Sequence, residues 1–323
     1  MSNAAMSFLH WQRGRAFHKV AAMIQDTRPL LSMACTLAGM FVLGVTDNLI
    51  PFISGSSSLW LFQAARSGLA LPMMVLLALV GFGTLRARRP AMVLARNFFT
   101  ATALLIYFGC LAFLPIGVVV AGLFTAPIFV LVFSVLFRGQ TIGLWRWAAV
   151  AIGFTGALLI VRPEDGSLSA LSLLPIVAGA FYAIGAIGTR AWCEGESTLS
   201  MTFAYFTILG VYGLIGLAAL TVWPAGAAAG ADGWLSRGWV APDTAMVWVT
   251  VAQAVGSIIG LVLLTRGYQL GEASYVAVNE FSLIVFASIF GWLIWDQALG
   301  PVALAGVVLI IASGSIIALR SKS

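Results

Sequence analysis

The sequence predicts an all-α integral membrane protein. Its ten transmembrane helices form two inverted five-helix repeats around a central cavity. Three observations carry that prediction. First, 61% of the 323 residues are hydrophobic, only 9% are charged, and the mean hydropathy is +1.03. A soluble domain of ordinary composition has about a quarter of its residues charged. Second, the apolar residues fall into ten runs of roughly membrane-spanning length, about 20 residues each. Third, the two halves of the chain rhyme, and each half holds an odd number of runs.

Taken in order, the runs bounded by Gly, Pro and charge are 30–50, 59–82, 93–114, 117–137, 143–161, 170–190, 198–222, 244–266, 272–294 and 299–319. They divide the chain into an N-terminal segment, 1–29, a first five-helix repeat, 30–161, and a second, 170–319. The apolar run from Leu30 is too long, and is followed by too many others, to be a cleavable signal peptide. The segment ahead of it, "FLHWQRGRAFHKVAAMIQ", mixes Trp11, Phe17 and Ile24 with basic residues. It reads either as a helix lying on the cytoplasmic leaflet or as a basic tail.

An even number of spans puts both termini on one side. If that side is cytoplasmic, 14 of the 17 Lys and Arg residues lie in cytoplasmic segments, with Arg96 counted among them. Arg162 and Arg237 lie opposite and Arg66 falls inside a span. The positive-inside rule therefore sets a cytoplasmic N-terminus, in the inner membrane of a bacterium. The net charge of +6 belongs to this topology rather than to nucleic-acid binding. The longest loop on the far side, "WPAGAAAGADGWLSRGW", carries Trp223, Trp234 and Trp239, which suit a membrane interface belt.

The remaining chemistry is sparse. Cys35, Cys110 and Cys193 are odd in number, and the first two lie in apolar runs, so neither a disulfide nor a metal site is expected. His10 and His18 both precede the first span. There is no phosphate-binding GxxxxGK[ST] loop, no HExxH and no Asp-rich motif. No cofactor is expected. A membrane-embedded transferase would need such a motif, and a channel would need a continuous polar pore, which these helices do not offer.

The rhyme lies between residues 119–161, "VVAGLFTAPIFVLVFSVLFRGQTIGLWRWAAVAIGFTGALLIV", and 276–319, "VAVNEFSLIVFASIFGWLIWDQALGPVALAGVVLIIASGSIIAL". Each is a long span, a short polar break at Arg138–Gln140 or Asp296–Gln297, and a Gly-bearing final span. With five spans per half, the second half enters the membrane from the opposite side. Inverted repeats of this kind recur in proteins that work by alternating access around a midplane site.

Three stretches carry a resemblance to a known family: "LFQAARSGLALP" in the second span, "GVVVAGLFTAPIF" running into "LFRGQTIGLWRWAAVAIGFTGALLIVRP", and "LLTRGYQLGEASYVAVNEFSLIVFASIFGWLIWDQ" followed by "GVVLIIASG". Over roughly residues 32–319 the chain resembles the EamA branch of the drug/metabolite transporter superfamily. That resemblance implies a secondary transporter of small organic metabolites. Export of an amino acid or zwitterionic derivative is the first expectation, and import of S-adenosylmethionine, riboflavin or a similar metabolite the alternative. Two departures stand out. Pro51 follows "TDNLI" where related chains often carry a Lys, and the first-half break "FRGQTIG" lacks the acidic residue that Asp296 supplies in the second.

Polar residues inside the spans name the candidate site. An ionised group at the bilayer centre costs about 2.5–3.5 kcal/mol on insertion scales and marks a cavity or pathway. The candidates are Asp47 and Asn48 in the first span, Arg66 in the second, Gln253 in the eighth, and Asn279 and Glu280 in the ninth. Reading the second and ninth spans as both running inward places Arg66 and Glu280 at matching depth. They form either an ion pair between helices or the two ends of a receptor for a zwitterion. A proton-coupling role for Glu280 fits both arrangements. Tyr107, Tyr182, Tyr205, Tyr275 and Trp292 are candidates for an aromatic wall. Pro115 and Pro127 are candidate kinks, and Gly256 and Gly260 are sites of close helix approach. The expected partners are a small-molecule metabolite, the lipid bilayer and protons. Spans five and ten, which carry no buried charge, sit peripherally and offer a homodimer contact.

Overall fold

The computed structural model describes residues 28–110, 116–139, 141–161, 170–226, 229–296 and 300–320. Pro115, Arg162, the turn at Gln297 and the N-terminal segment before residue 28, expected as an interfacial helix or a basic tail, lie outside them. The described residues form α-helices with two short 3-10 turns. They are α1 Pro29–Asp47, α2 Pro51–Ser54, α3 Leu59–Leu79, α4 Pro90–Cys110, α5 Ile116–Leu123, α6 Ala126–Arg138, α7 Leu144–Val161, α8 Leu174–Ala191, α9 Thr198–Val222, α10 Thr244–Leu270, α11 Ala273–Glu280, α12 Ser282–Trp295 and α13 Pro301–Arg320.

Local sequence explains many of the ends. Proline opens α1, α2, α6 and α8, where its missing N–H would have had no partner anyway. Ser58 caps α3 by accepting from Leu61 N at 3.1 Å, and Asp243 caps α10 by accepting from Met246 N at 2.7 Å. Each side chain satisfies an amide that the first turn leaves open.

Among the described residues, seven helical stretches are long and apolar enough to cross a membrane. Three shorter apolar helices, Ala126–Phe137, Leu144–Ile160 and Pro301–Ile316, fall where the sequence predicts the fourth, fifth and tenth spans. Large apolar side chains such as Leu76, Phe137 and Trp248 are exposed on the outside, as a lipid-facing perimeter requires.

The expected fourth and ninth spans are each broken. The first breaks at Phe124–Thr125, between α5 and α6, with Pro127 at the start of the second piece. The other breaks at Phe281, between α11 and α12, where Ser282 Oγ donates back to Asn279 O at 2.7 Å. The rings of Phe124 and Phe281 stack on each other at 5.8 Å and 22°. The second pieces also end alike, with Gly139 at φ 60° after α6 and Asp296 at φ 53° after α12. The spacing is 157 residues in both cases (281 − 124 and 296 − 139). Glycine is free to adopt the left-handed region, and Asp is among the few other residues that tolerate it.

The main helix pairs are antiparallel and close. In α7 against α13, a Cβ on Gly156 would lie 2.7 Å from Gly306 O and a Cβ on Gly306 would lie 2.5 Å from Gly156 O. Further along, Ser313 Oγ donates to Ala149 O at 2.6 Å. In α1 against α10, Gly39 faces Gly260, Thr46 faces Gly256, and Ser32 Oγ donates to Gly267 O at 2.8 Å. In α3 against α9, Ser67 faces Gly210 and Trp60 faces Gly216; in α4 against α8, Thr100 faces Gly185. Small residues on one helix let the partner backbone approach, as membrane helices require. Around these pairs, α5 and α6 pack on α8, while α11 and α12 pack on α1. Likewise α9 packs on α4, and α10 on α3.

Each end of the bundle is tied by polar contacts. At one end the buried Glu196 carboxylate accepts from Arg88 N at 2.9 Å and Arg89 N at 2.6 Å. Arg86, Arg88, Arg89, Arg146, Arg190 and Arg266 gather here, and this is called the basic end below. At the other end Arg237 donates to the carbonyls of Ser54, Gly55, Ser57 and Gly230. Trp223 and Trp239 are exposed there, as an interface belt requires. Trp234 departs from that expectation: it is 6% exposed, its ring lies 6.0 Å from Phe62, and it packs into the core.

Candidate functional site

Two buried polar clusters lie between the helices. The first joins α1, α3 and α10 in the half of the bundle away from the basic end. On α10, Thr250, Gln253 and Ser257 occupy one face at helical spacing, and all three are buried. Gln253 Nε2 donates to Thr46 O at 2.6 Å. Ser257 Oγ donates to Gln253 Oε1 at 3.3 Å and accepts from Arg66 Nη1 at 3.4 Å. The Arg66 guanidinium lies 5.2 Å from the Phe62 ring centre and 5.8 Å from that of Phe206, and the side chain is 5% exposed. Its Nε and Nη2 make no hydrogen bond of standard geometry, although Arg66 acts on the nearby Tyr205 hydroxyl. Both polar atoms of Gln63, Ser67 Oγ and Thr250 Oγ1 also lack a hydrogen-bond partner. Such orphans are rare in a finished interior, and each calls for an explanation.

Asp47 completes this cluster. Arg66 and Gln253 are the neighbours that act on its carboxylate, and Asp47 in turn acts on Tyr107. The Asp47 side chain, at the last residue of α1, is exposed. Asn48 is held beside it, its Nδ2 donating to Gly44 O at 2.8 Å and Ala287 O at 3.0 Å.

The second cluster lies nearer the basic end, between α4, α8, α10 and α11. Tyr182 Oη donates to Glu280 Oε1 at 3.2 Å. Tyr268 and Arg96 are the other groups acting on the Glu280 carboxylate, although Tyr268 Oη makes no hydrogen bond of standard geometry. Arg96 Nε donates to Thr189 Oγ1 at 2.9 Å and Nη1 to Asn97 Oδ1 at 2.6 Å. Tyr205 lies between the clusters, acted on by Arg66, Asp47 and Arg96.

The expected pairing of Arg66 with Glu280 is corrected by this arrangement. Among the described residues the ion pair is Arg146 with Glu272, at 2.6 Å. The expectation erred on direction. α11 starts at the basic end, just after Arg266, and so runs opposite to α3. Arg66 and Glu280 each stand seven residues into their helices, about 10 Å at 1.5 Å per residue. They do so from opposite ends of a layer about 30 Å thick, which leaves about 10 Å between their levels.

Other expected residues sit elsewhere. Tyr275 is at the basic end, accepting from Arg146 Nη2 at 2.9 Å beside Trp145. Asn279 Oδ1 lies 3.6 Å from where a Cβ on Gly314 would stand, against α13. Trp292 is 51% exposed on the outside. Arg96, counted with the loops from sequence, is 7% exposed inside α4. Sequence reasoning also missed Gln63, Ser257 and Tyr268. The signal for Arg96 was available: Arg96, Asn97 and Thr100 make one polar stripe at i, i+1 and i+4.

Comparison with known proteins adds the following. No family model matches the chain. The pseudopaline exporter CntI of Pseudomonas aeruginosa is 29% identical over 224 residues, 69% of this chain and 72% of that protein. A riboflavin transporter of Rhizobium johnstonii is 25% identical over 84% of this chain and 83% of its own length. An S-adenosylmethionine uptake transporter of Rickettsia bellii is 24% identical over 72% and 73%. A solved crystal structure, 15% identical in sequence, superposes with a TM-score of 0.70 over 91% of this chain and 97% of that one, so the fold is one already seen. These bacterial relatives bear the names of transporters, not of enzymes. With the apolar helices described above, they make the chain a multi-pass bacterial membrane protein.

Proposed function

We propose that the chain is a secondary transporter of a small organic metabolite, working by alternating access between two inverted five-helix halves. One observation carries the reading: the helix packing repeats itself under exchange of the halves. Counting α5–α6 and α11–α12 as single broken spans, spans one to five correspond to spans six to ten. The α1–α10 pair then maps onto α8–α4. α3–α9 and α7–α13 map onto themselves, and the packing of α6 on α8 maps onto that of α12 on α1. The stacked Phe124 and Phe281 and the matching left-handed caps follow the same exchange. Two halves of one packing, entered from opposite sides, can trade their open ends by rocking.

In this reading the termini are cytoplasmic, because the basic end is the cytoplasmic one. The metabolite is an amino acid or zwitterionic derivative, received by side chains of the two buried clusters. Asp47, Asn48, Arg66, Tyr107 and Gln253 serve from the first, and Tyr182 and Glu280 from the second. Glu280 carries the coupling proton. The relatives named as exporter and as importers fit a carrier that runs in the direction its gradients set.

Uptake into proteoliposomes tests this. Purified protein is reconstituted and offered labelled amino acids, S-adenosylmethionine and riboflavin, with and without a pH gradient. Saturable uptake above that of empty liposomes is the expected result. Absence of uptake for every compound under both conditions counts against transport.

A further inference from the structure

We infer that the cluster around Asp47 and Arg66 is a receptor for an α-amino-carboxylate head group, the ammonium at Asp47 and the carboxylate at Arg66. The assignment rests on the transporter reading and goes further, by fixing where and how the substrate's charged end is held. It also moves that end away from Glu280.

Four observations converge. Arg66 is 5% exposed, and its Nε and Nη2 make no hydrogen bond of standard geometry, with the Tyr205 hydroxyl as the neighbour that acts on the guanidinium. Nε and Nη2 are adjacent donors on one side of a planar guanidinium, the geometry that receives a carboxylate through two parallel bonds. Its third nitrogen, Nη1, donates to Ser257 and the guanidinium lies over the Phe62 and Phe206 rings, so the fork is held in place before a ligand arrives. Next, Asp47 follows Thr46, whose carbonyl is joined to Arg66 through Gln253 and Ser257, yet Asp47 and Arg66 form no ion pair among the described residues. The two opposite charges are neighbours that do not touch, and a ligand carrying both signs at the two ends of one short unit can bridge them. Third, the Asp47 side chain is exposed, so a ligand can reach it. Last, Gln63, one turn before Arg66, is fully buried with both polar atoms unpartnered. An isolated buried charge is costly; one whose donors await a ligand's carboxylate is explained.

Glu280 is unsuited to this role. Tyr182 already donates to it, its backbone stands about 10 Å from the level of Arg66 by helix rise, and Tyr268, Tyr182 and Arg96, not Arg66, are the groups that act on its carboxylate.

The test uses thermal unfolding of the purified full-length protein with the common L-amino acids and S-adenosylmethionine at millimolar concentration. Each amino acid is run beside its carboxamide and its N-acetyl derivative. At least one free head group is expected to raise the melting temperature, with both blocked forms binding at least tenfold more weakly. Asp47→Asn and Arg66→Gln are each expected to weaken binding at least tenfold. Arg66→Lys, which keeps the charge without the fork, falls between. Asp47 is exposed, so its variant stays informative even where Arg66→Gln fails to fold. The assignment is overturned if no free head group stabilises the protein, if blocked and free forms bind alike, or if Asp47→Asn binds as the parent does. Riboflavin has no such head group. Riboflavin uptake into proteoliposomes unchanged by Asp47→Asn, with no amino acid bound, would overturn this assignment and leave the carrier reading standing. Absence of flux for all compounds would remove the carrier reading itself.

Discussion

The crossing of α7 and α13 gives a sharp prediction. A Cβ at Gly156 would stand 2.7 Å from Gly306 O, and one at Gly306 would stand 2.5 Å from Gly156 O. Both obstacles are backbone, which cannot rotate away. Restoring an ordinary contact of 3.4 Å requires the helices to part by about 0.7–0.9 Å at the crossing, in an interior packed nearly as densely as an organic crystal. Overpacking of this kind costs about 1–3 kcal/mol, and alanine returns roughly 0.5–1 kcal/mol through helix propensity. Gly156→Ala and Gly306→Ala are each expected to destabilise by about 1–2 kcal/mol. One parting of the helices relieves both clashes. The double variant should therefore lose less than the sum of the singles, with a coupling on the order of 1 kcal/mol. Gly68→Ala is the control, since nothing lies within 4 Å of a Cβ there, and it should be neutral or stabilising. The assay is thermal unfolding of purified variants in one detergent. If Gly156→Ala and Gly306→Ala behave like Gly68→Ala, the close crossing is wrong.

Three further outcomes are expected. Glu196→Gln removes the charge from a carboxylate that accepts two backbone amides. A loss of about 2 kcal/mol, within the range for charged hydrogen bonds, should speed hydrogen exchange at Arg88 and Arg89 by roughly 30-fold. Burial pushes the Cys193 thiol up to about 11. Because the thiolate is the reactive form, maleimide labelling at pH 8 should run roughly two orders of magnitude slower than for a free cysteine. It should rise toward pH 11 or on denaturation, and rapid labelling of the native protein at pH 8 would contradict the burial. Glu280→Gln keeps the shape and removes the charge. Transport and its dependence on a pH gradient should both fall at least tenfold with expression intact, and a variant with a normal pH response would free Glu280 from any proton role.

The architecture was more legible in the sequence than the site. Apolar run length places helices well, because a bilayer sets a fixed length for every crossing. The rhyme between residues 119–161 and 276–319 anticipated the paired caps at Gly139 and Asp296. What it did not reveal was the break at Phe281, where no proline marks the interruption and the apolar pattern runs straight through. Arg66, Asp47 and Gln253 were readable as intramembrane polar residues, but which ones meet depends on helix neighbours and direction. Those are tertiary facts. Arg96 was lost because, three residues inside the 93–114 run, it was counted with the cytoplasmic charges, whereas the helix starts at Pro90 and carries it a further turn into the bundle. Tyr268 was lost because an apolar residue type hid a polar atom beside Glu280. Trp234 shows the reverse error: a loop tryptophan that looked interfacial fills the core against Phe62.

Counterflow tests the central claim most directly. Liposomes containing the protein are preloaded with unlabelled substrate, the amino acid or derivative found to bind, and labelled substrate is added outside. A carrier whose halves alternate must return loaded or empty, so preloading should accelerate entry of label, drive its transient accumulation and saturate with concentration. Flux that rises in proportion to concentration and ignores the preload would contradict alternating access between the two halves.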